Sequence, residues 1–284
     1  MRFILEAPAA AEWSASMRRE GRSIGFVPTM GALHEGHLAL VARAKAECAA
    51  VCASIFVNPL QFNNPEDLRL YPRQMEQDRL LLERAGCDML FAPDNASIYQ
   101  EHTPRTFSLG GLDEVLEGPA RPGHFQGVVN VVERLFHYVR PDAAYFGEKD
   151  RQQLAVISQV AREYRWPVRI VPCETLRAKD GLALSSRNQR LSPEERAIAP
   201  VIIRSLRAVQ QHAFRLPIEE VRMAGERMLA TEPAVRLDYL AIADPITLRP
   251  LASWDGRDEA VALVAAWIGP VRLIDNITLR RSAG

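Results

Sequence analysis

The sequence has no excess of charge of either sign, because 35 Lys and Arg residues balance 35 Asp and Glu residues. Zero net charge gives no general attraction to a polyanion, so we expect no nucleic-acid partner, although a local basic pocket is still compatible with it. The longest purely apolar run, from Ala260 to Ile268, is far shorter than the roughly 18 residues of a membrane-spanning helix. The first ten residues also lack the apolar region of a secretory signal. These absences predict a soluble cytoplasmic protein with no membrane partner.

Cysteine is scarce, and its spacing argues against the common cysteine-based sites. The sequence contains four cysteines, and no two of them form a CxxC pair. Neither a zinc ribbon nor a disulfide framework is therefore expected, and a reducing compartment fits best. Apolar residues are plentiful by contrast, at 48% of the 284 residues. A chain of this length and composition can build one large domain or two unequal ones.

Short β-rich runs alternate with helical patterns along the first 175 residues. The runs are RFIL, SIGFVP, AVCASIFV, DMLFA, DAAYFG and VRIVP. Among the segments between them, the clearest helical pattern spans His124 to Val139, where apolar residues recur at steps of three and four. Strands that are apolar on both faces and separated by helices predict a parallel sheet that is covered on both sides. Residues 1–175 are therefore expected to form a doubly wound, Rossmann-like α/β domain with ligands at the carboxyl ends of its strands.

The pattern changes after about residue 176. LSPEERAIAPVIIRSLRAV begins with a Ser192 cap, Pro193 in the first helical position and Glu195 in the third, which is typical of a helix start. A single apolar stripe then runs along this segment through Ile198, Val201, Ile202, Leu206 and Val209. A second helix is predicted from about Ile218 to Leu229, and VRLDYLAIA, EAVALVAAWI and VRLID are predicted as strands. Residues 176–284 therefore predict a smaller α+β domain.

The segment FVPTMGALHEGH, residues 26–37, joins a predicted strand to a predicted helix. His34 and His37 are three residues apart, so in a first helical turn they share one face. Unpaired backbone N–H groups at a helix start favour phosphate, to which histidines can donate hydrogen bonds. Two histidines at this spacing are more often ordinary surface or core residues, and no third ligand stands out for a metal. The position after a strand, with glycines at 31 and 36, favours the phosphate site.

Two further polar clusters follow predicted strands. SIFVNPLQF delivers Asn58 and Gln61, whose neutral amides suit the hydroxyl and carboxylate groups of a small polar substrate. FGEKDRQQL delivers Lys149, Asp150 and Gln153 at the end of another strand. Each cluster taken alone is equally compatible with turn chemistry or a solvated helix start. Their specificity comes from their combination in one chain.

A third cluster, KDGLALSSRN at residues 179–188, combines a turn with two hydroxyls and Arg187, whose guanidinium suits phosphate oxygens. Together the motifs closely resemble those of the pantothenate synthetases, also called pantoate beta-alanine ligases. The matching segments, in chain order, are FVPTMGALHEGH, SIFVNPLQF, DLRLYPR, RPGHFQGV, FGEKDRQQL and GLALSSRN. The resemblance covers nearly the whole chain. It implies membership of the HxGH class of nucleotidyltransferases, and HEGH is the version of that motif in this sequence.

The resemblance implies an ATP-dependent ligase of pantothenate and coenzyme A biosynthesis. Pantoate carboxylate attacks the α-phosphate of ATP, which releases pyrophosphate and gives pantoyl adenylate. Beta-alanine then attacks this mixed anhydride, and the products are pantothenate and AMP. The substrates implied are pantoate, beta-alanine and ATP, and magnesium is expected to travel with ATP.

The resemblance also implies catalytic and ATP-binding roles by position. The implied catalytic residues are His34, His37, Lys149 and Arg187. The implied ATP-binding residues are Met30, Gly31, Ala32, Leu33, His34, Glu35, Gly36, His37, Gly147, Glu148, Lys149, Asp150, Leu176, Leu184, Ser185, Ser186 and Arg187. In this family His37 is the usual proton donor. Because a carboxylate nucleophile is already ionised near neutral pH, charge stabilisation is an equally open role for it.

The remaining implications concern pantoate, magnesium and assembly. Gln61, Gln153 and Asn58 are implied to bind pantoate, and Gln61 is also implied to bind beta-alanine. Asp78 is a weak candidate for contacting magnesium, and the metal ligands are otherwise unassigned. The family further implies that residues 176–284 form a lid over the active site, and that the protein is a homodimer joined through its N-terminal domain.

Two other functions stay open from the sequence. One is a different HxGH-class adenylyltransferase, or a shrunken aminoacyl-tRNA synthetase, which would need more basic residues for phosphate or RNA than zero net charge suggests. The other is a non-catalytic nucleotide sensor on the same fold, which would keep the binding loops but lose reactive side chains. The presence of His34, His37, Lys149 and Arg187 favours the enzyme.

Overall fold

The computed structural model describes residues 1–63, 65–100 and 102–281. The chain divides into two compact units. The first contains residues 1–148 and 153–174, and the second contains residues 149–152 and the chain from Thr175 onward. Within the described ranges, no helix is long and apolar enough to cross a membrane.

A six-stranded parallel sheet forms the centre of the first unit. Its strands are β1 Arg2–Ile4, β2 Ile24–Thr29, β3 Ala50–Ile55, β4 Met89–Phe91, β5 Ala143–Gly147 and β6 Arg169–Cys173. They lie in the order β1-β4-β3-β2-β5-β6, and every pair is parallel. All six predicted strands are confirmed, and β2 lies in the middle of the sheet between β3 and β5. The segment that follows β2 is therefore held at a central position.

Helices connect these strands and supply the two apolar layers of the first unit. They are α1 Ala7–Arg19, α2 Glu35–Glu47, α3 Pro65–Arg69, α4 Met75–Arg84, α5 Asn95–Ile98, α6 Glu117–Ala120, α7 His124–Val139 and α8 Arg151–Glu163, with short 3₁₀ turns at Pro59–Gln61 and Glu148–Asp150. Successive strand residues enter different core clusters: Phe26 packs with residues of α1 and α7, whereas Val27 packs with residues of α2 and α4. This alternation covers both faces of the sheet and confirms the doubly wound fold.

A separate antiparallel sheet forms the second unit together with three helices. The strands β7 Val235–Ala243, β8 Glu259–Ile268 and β9 Val271–Arg280 pair in the order β7-β8-β9. The helices are α9 Pro193–Ile198, α10 Val201–His212 and α11 Ile218–Leu229, and a 3₁₀ turn spans Ser186–Arg190. Apolar residues of α10, α11 and the sheet share one core cluster. The predicted α+β character is confirmed.

The segment after Ser192 begins as predicted but does not stay one helix. The Ser192 hydroxyl accepts a hydrogen bond from the Glu195 backbone N–H, and the Glu195 carboxylate accepts one from the Ser192 N–H. The apolar stripe suggested a continuous helix, which is wrong, since α9 ends at Ile198 and α10 begins at Val201. Pro200 lies in the break, where a ring in place of the N–H cannot complete the helical ladder.

Candidate active site

The His34–His37 segment caps the N-terminus of α2 immediately after the central strand β2. His34 is the N-cap residue, and its Nδ1 accepts a hydrogen bond from the Gly36 backbone N–H at 3.1 Å. His37 returns the bond, because its Nδ1 accepts from the His34 N–H at 3.3 Å. The two imidazole rings lie with their centroids 4.1 Å apart. The histidines therefore share one face of the first turn, as their spacing predicts.

These two hydrogen bonds fix where each neutral imidazole carries its proton. A ring nitrogen that accepts a backbone N–H has no proton of its own, so the proton of each neutral ring lies on Nε2. A phosphate oxygen near Nε2 would therefore meet an N–H donor. The helix start adds backbone N–H groups and about half a positive charge. A neutral histidine pair in this setting suits charge stabilisation without first becoming imidazolium.

Asp78 of α4 holds the loop between β2 and α2. Its two carboxylate oxygens accept hydrogen bonds from the backbone N–H groups of Ala32 and Leu33, both at 2.8 Å. Asp78 is buried, and this burial raises the pKa of its carboxyl group, although the bonds from Leu33 and Ala32 act in the opposite direction. Gly31 adopts a positive φ of +81°, and a Cβ there would lie 2.9 Å from the Asp78 carboxylate. The loop thus closely surrounds one buried acid.

The predicted pantoate residues Asn58 and Gln61 lie in the turn after β3, beside the Met30 end of β2. Gln61 is buried, and its Nε2 lies 2.8 Å from Met30 Sδ. Asn58 is fully buried, and its side-chain oxygen accepts from the Tyr99 hydroxyl at 3.0 Å and from the Leu60 N–H at 3.2 Å. These contacts bring Met30 and Gln61 together, and they show that Asn58 organises the turn.

Two residues at the start of α7, to which the sequence motifs assigned no role, support this turn. His124 Nδ1 lies 2.7 Å from the Gln61 carbonyl oxygen, and the Gly127 carbonyl accepts from Asn58 Nδ2 at 3.0 Å. A Cβ at Gly127 would lie only 2.2 Å from the Leu60 carbonyl oxygen, so this close approach needs glycine. Both residues belong to the segment RPGHFQGV. The signal available in the sequence was Gly127, three residues after His124 in this segment.

Three other predicted residues of the first unit follow the carboxyl end of β5. Gly147 is the last residue of β5 and Glu148 opens the 3₁₀ turn after it. Gln153, in the first turn of α8, is half-buried. The strand that they end or follow, β5, is adjacent to β2 in the sheet. Their predicted contacts with ATP and pantoate stay predictions.

The second unit carries the other predicted ATP residues. Lys149 Nζ lies 3.5 Å from the Asp150 carboxylate, and the Lys149 carbonyl accepts a hydrogen bond from Asn276 Nδ2 at 3.0 Å. Leu176 and Leu184 are paired, because the Leu184 N–H donates to the Leu176 carbonyl at 3.0 Å. They close a hairpin over residues 176–184. Residues 185–187 follow this hairpin directly in the chain.

The segment Ser185 to Arg187 begins the 3₁₀ turn that follows the hairpin. The Ser185 hydroxyl accepts from the Arg187 backbone N–H at 3.3 Å and caps the turn. Ser186 is buried, whereas Arg187 is half-buried. A capped turn of this kind fixes the backbone from which the Arg187 guanidinium extends. Local sequence patterns did not predict the ion pair between Arg177 of this hairpin and Asp275 of β9.

In the described residues, no group of three or more His, Cys, Asp and Glu side chains is arranged to hold a metal ion. Asp78 already accepts two backbone hydrogen bonds, which suits an anchor better than a metal ligand. Mg²⁺ commonly binds through substrate phosphates and water, with few protein ligands. The binding of magnesium together with ATP stays a prediction.

The doubly wound sheet and the HEGH sequence capping α2 define an HxGH-class nucleotidyltransferase fold. The model of the pantoate-beta-alanine ligase family matches residues 2–278. The chain belongs to this family.

Relatives of known name agree with that assignment. Pantothenate synthetase from Thermus thermophilus is 51% identical over 269 residues, which cover 94% of this chain and 96% of the relative. That from Cytophaga hutchinsonii is 44% identical and covers 93% and 94%. A Thermus thermophilus crystal structure of pantothenate synthetase superposes with a TM-score of 0.91 at 49% identity, covering 98% of this chain and 99% of that chain. A Francisella tularensis pantoate-beta-alanine ligase complexed with beta-gamma ATP and beta-alanine gives a TM-score of 0.80 at 36% identity, covering 98% and 97%.

Proposed function

We propose that this chain catalyses the ATP-dependent condensation of pantoate with beta-alanine to give pantothenate, AMP and pyrophosphate. Membership of the pantoate-beta-alanine ligase family supports the overall reaction. One structural observation supports the proposed chemistry: the histidine-capped start of α2, at the carboxyl end of the central strand. Such a helix start favours the phosphates of a nucleotide.

The first step joins two anions. Pantoate carboxylate attacks the α-phosphorus of ATP, a C–O–P bond forms, and the bond to pyrophosphate breaks. The carboxylate is ionised near neutral pH, so this step needs no general base. Its barrier lies in bringing anions together and in the charge that develops on pyrophosphate. Magnesium, as part of the ATP substrate, offsets some of this charge.

The residues proposed for this step supply donors and positive charge. Nε2–H of His34 and of His37 donates to phosphate oxygens, which accounts for His37 without a proton-transfer step. Lys149 and Arg187 add positive charge, and the start of α2 adds backbone N–H groups. Met30 to Leu33 form the loop beneath the nucleotide. Removal of one well-placed donor of this kind typically costs about 10² to 10³ in rate.

The second step forms the amide bond. The neutral amine of beta-alanine attacks the acyl carbon of pantoyl adenylate, a C–N bond forms, the acyl bond to AMP breaks, and the nitrogen releases one proton to solvent. We assign pantoate to Gln61 and Gln153, with Asn58 organising the turn that presents Gln61. Asn58 accepts hydrogen bonds from Tyr99 and Leu60 and donates one to the Gly127 carbonyl, which supports this division of roles. A buried glutamine suits a substrate that offers hydroxyl and carboxylate groups.

The proposal extends to assembly, architecture and location. We infer a homodimer joined through the N-terminal domain, because the family resemblance implies it, and we infer a cytoplasmic location. The four cysteines are free thiols, which is compatible with a reducing compartment. We also propose a domain boundary between residues 175 and 176 and a role for residues 176–284 as a lid. Light scattering of the purified protein tests the dimer.

Isotope exchange tests the reaction. With labelled pyrophosphate and MgATP, the protein should return label to ATP only when pantoate is present, because exchange requires reversible adenylate formation. Addition of beta-alanine should divert the adenylate to pantothenate and AMP. Binding of ATP without exchange would instead indicate a nucleotide sensor. Exchange with a different acceptor, but not with pantoate, would indicate another adenylyltransferase.

A further inference from the structure

Two adjacent polar residues lie buried on β9, where an exposed face would be expected. Asp275 and Asn276 are 4% and 7% exposed, although successive strand residues point to opposite faces. Their neighbours on β8 are Val264 and Leu263. Buried polar side chains are costly unless they are hydrogen-bonded, so the partners of this pair explain why it is tolerated.

Asp275 binds Arg177 through both carboxylate oxygens. The two N–O distances are 2.6 and 2.9 Å, a bidentate ion pair. The same guanidinium donates to the Gly181 carbonyl at 3.1 Å and to the Asn276 carbonyl at 3.2 Å. Arg177 is therefore tied to the strand and also to the turn of its own hairpin. One carboxylate on β9 fixes the whole hairpin through this side chain.

The fixed hairpin presents predicted nucleotide-binding residues. Arg177 pairs with Ala183 across the hairpin, and the Ala178 N–H donates to the Leu182 carbonyl at 2.8 Å. The pair of Leu176 and Leu184 closes its open end. The segment of Ser185 to Arg187 follows directly. A shift of the hairpin would therefore carry these residues with it.

Asn276 ties a second predicted segment to the same strand. Its Nδ2 donates to the Lys149 carbonyl oxygen at 3.0 Å. This bond fixes the backbone of Lys149, from which its ammonium group extends. The Lys149 side chain is 16% exposed. A side chain without a donor at position 276 would leave this carbonyl without the bond.

We propose that Asp275 and Asn276 are positioning residues that hold the Arg177 hairpin and the Lys149 turn in the positions needed to bind ATP. This inference rests on the proposed function for its substrate. Neither residue is proposed to touch ATP. Asp275 acts through Arg177 on the backbone of residues 176–187, and Asn276 acts through the Lys149 carbonyl. A misplacement of about 1 Å is enough to cost about 10² in rate.

Three variants test this role. Asn276→Ala removes the donor to Lys149, and Arg177→Lys keeps the charge but loses the bidentate fork. Asp238→Asn is the matched control, because it removes the charge from an ion pair of 2.8 Å with Arg272, which lies on the same strand β9 as Asn276. For each protein we would measure the Kd of MgATP by calorimetry, the KM values of ATP and pantoate in pyrophosphate exchange, and the Tm.

We expect Asn276→Ala and Arg177→Lys to raise the Kd and KM of ATP about tenfold or more, on the scale of a misplaced binding group. The KM of pantoate should stay within about twofold, and Asp238→Asn should change neither. Unchanged ATP affinity in both variants would overturn the inference. Parallel loss of ATP and pantoate affinity that follows the Tm would also overturn it, since it indicates a purely structural role. Wild-type protein that binds ATP without pantoate-dependent exchange would refute the reaction but leave this comparison of affinities intact.

Discussion

The two units each fix a predicted nucleotide-binding segment with one buried aspartate, but the partners differ. In the parallel-sheet unit, Asp78 accepts two backbone N–H groups from the loop before α2. In the antiparallel-sheet unit, Asp275 accepts two N–H groups from the guanidinium of Arg177. Backbone donors hold the loop directly and carry no full charge. The guanidinium neutralises its acid, and its other donors extend the contact to the hairpin carbonyls.

This difference predicts different consequences when each carboxylate is removed. Loss of Asp78 leaves two neutral N–H groups without their acceptor. Loss of Asp275 leaves a charged guanidinium in a mostly buried position, with its side chain only 22% exposed. An uncompensated buried charge costs more than an unsatisfied amide. The ion pair should therefore be the more sensitive of the two anchors.

The largest effect is expected for Asp275→Ala. Breaking a buried ion pair from one side costs about 3–5 kcal/mol, because the partner charge stays buried. The free energy of unfolding from urea denaturation measures this loss. The double variant Arg177→Met/Asp275→Leu should recover most of the stability, since it removes both charges and keeps apolar volume. A double variant as unstable as Asp275→Ala would show that the charge left on Arg177 is not the cause.

Asp78→Asn should have a smaller effect on stability and a clear effect on turnover. The amide keeps one acceptor oxygen but puts an NH₂ group against the second backbone N–H, so about 1–3 kcal/mol of stability is lost. The loop that carries His34 then loses one of its two fixed points. We expect turnover in the complete reaction to fall by about 10², on the scale of one lost donor.

Asp94→Asn provides the matched control for that variant. The Asp94 carboxylate also accepts a backbone N–H, that of Ser97 at 2.7 Å, but at the start of α5 rather than in the loop before α2. Its replacement should cost some stability and leave turnover unchanged. Equal effects of the two variants on turnover would contradict a specific role for Asp78.

The sequence predicted the loop before α2 better than it predicted the Arg177 hairpin. HEGH after an apolar strand identified a helix start, because the strand, the loop and the helix are contiguous in the chain. The His34 cap itself was found only in the structure. The anchors themselves were not found, since Asp78 lies 46 residues from Ala32 and Asp275 lies 98 residues from Arg177. Local patterns carry no information about such distant partners. Two adjacent polar residues in the apolar strand VRLIDN were the only signal for the second anchor.

The break between α9 and α10 shows a different limit. The apolar residues of this segment follow helical spacing on both sides of Pro200, so periodicity alone suggested one helix. The core residues Val201 and Ile202 are buried as that stripe predicted. Proline changed the backbone path without changing which residues face the core. Periodicity therefore predicted burial better than it predicted the helix bounds.

The smallest effect is expected at Glu47, an acid at the end of α2 that is paired with guanidinium groups at the protein surface. Hydrogen bonds from Arg169 and then Arg43 lower the pKa of the Glu47 carboxyl from 4.5 to about 2. A lowered folded-state pKa stabilises the protein above pH 4.5, and this contribution is lost as the pH falls towards 2. Glu47→Gln should therefore lower the Tm slightly at pH 7, and its difference from wild type should shrink between pH 4.5 and about 2. Added salt should reduce the pH 7 difference, because exposed pairs are screened. A difference in Tm that is constant across this pH range would mean that Glu47 stabilises the protein through its packing. The surface ion pairs of Glu47 would then contribute no measurable stability, in contrast to the buried ion pair of Asp275.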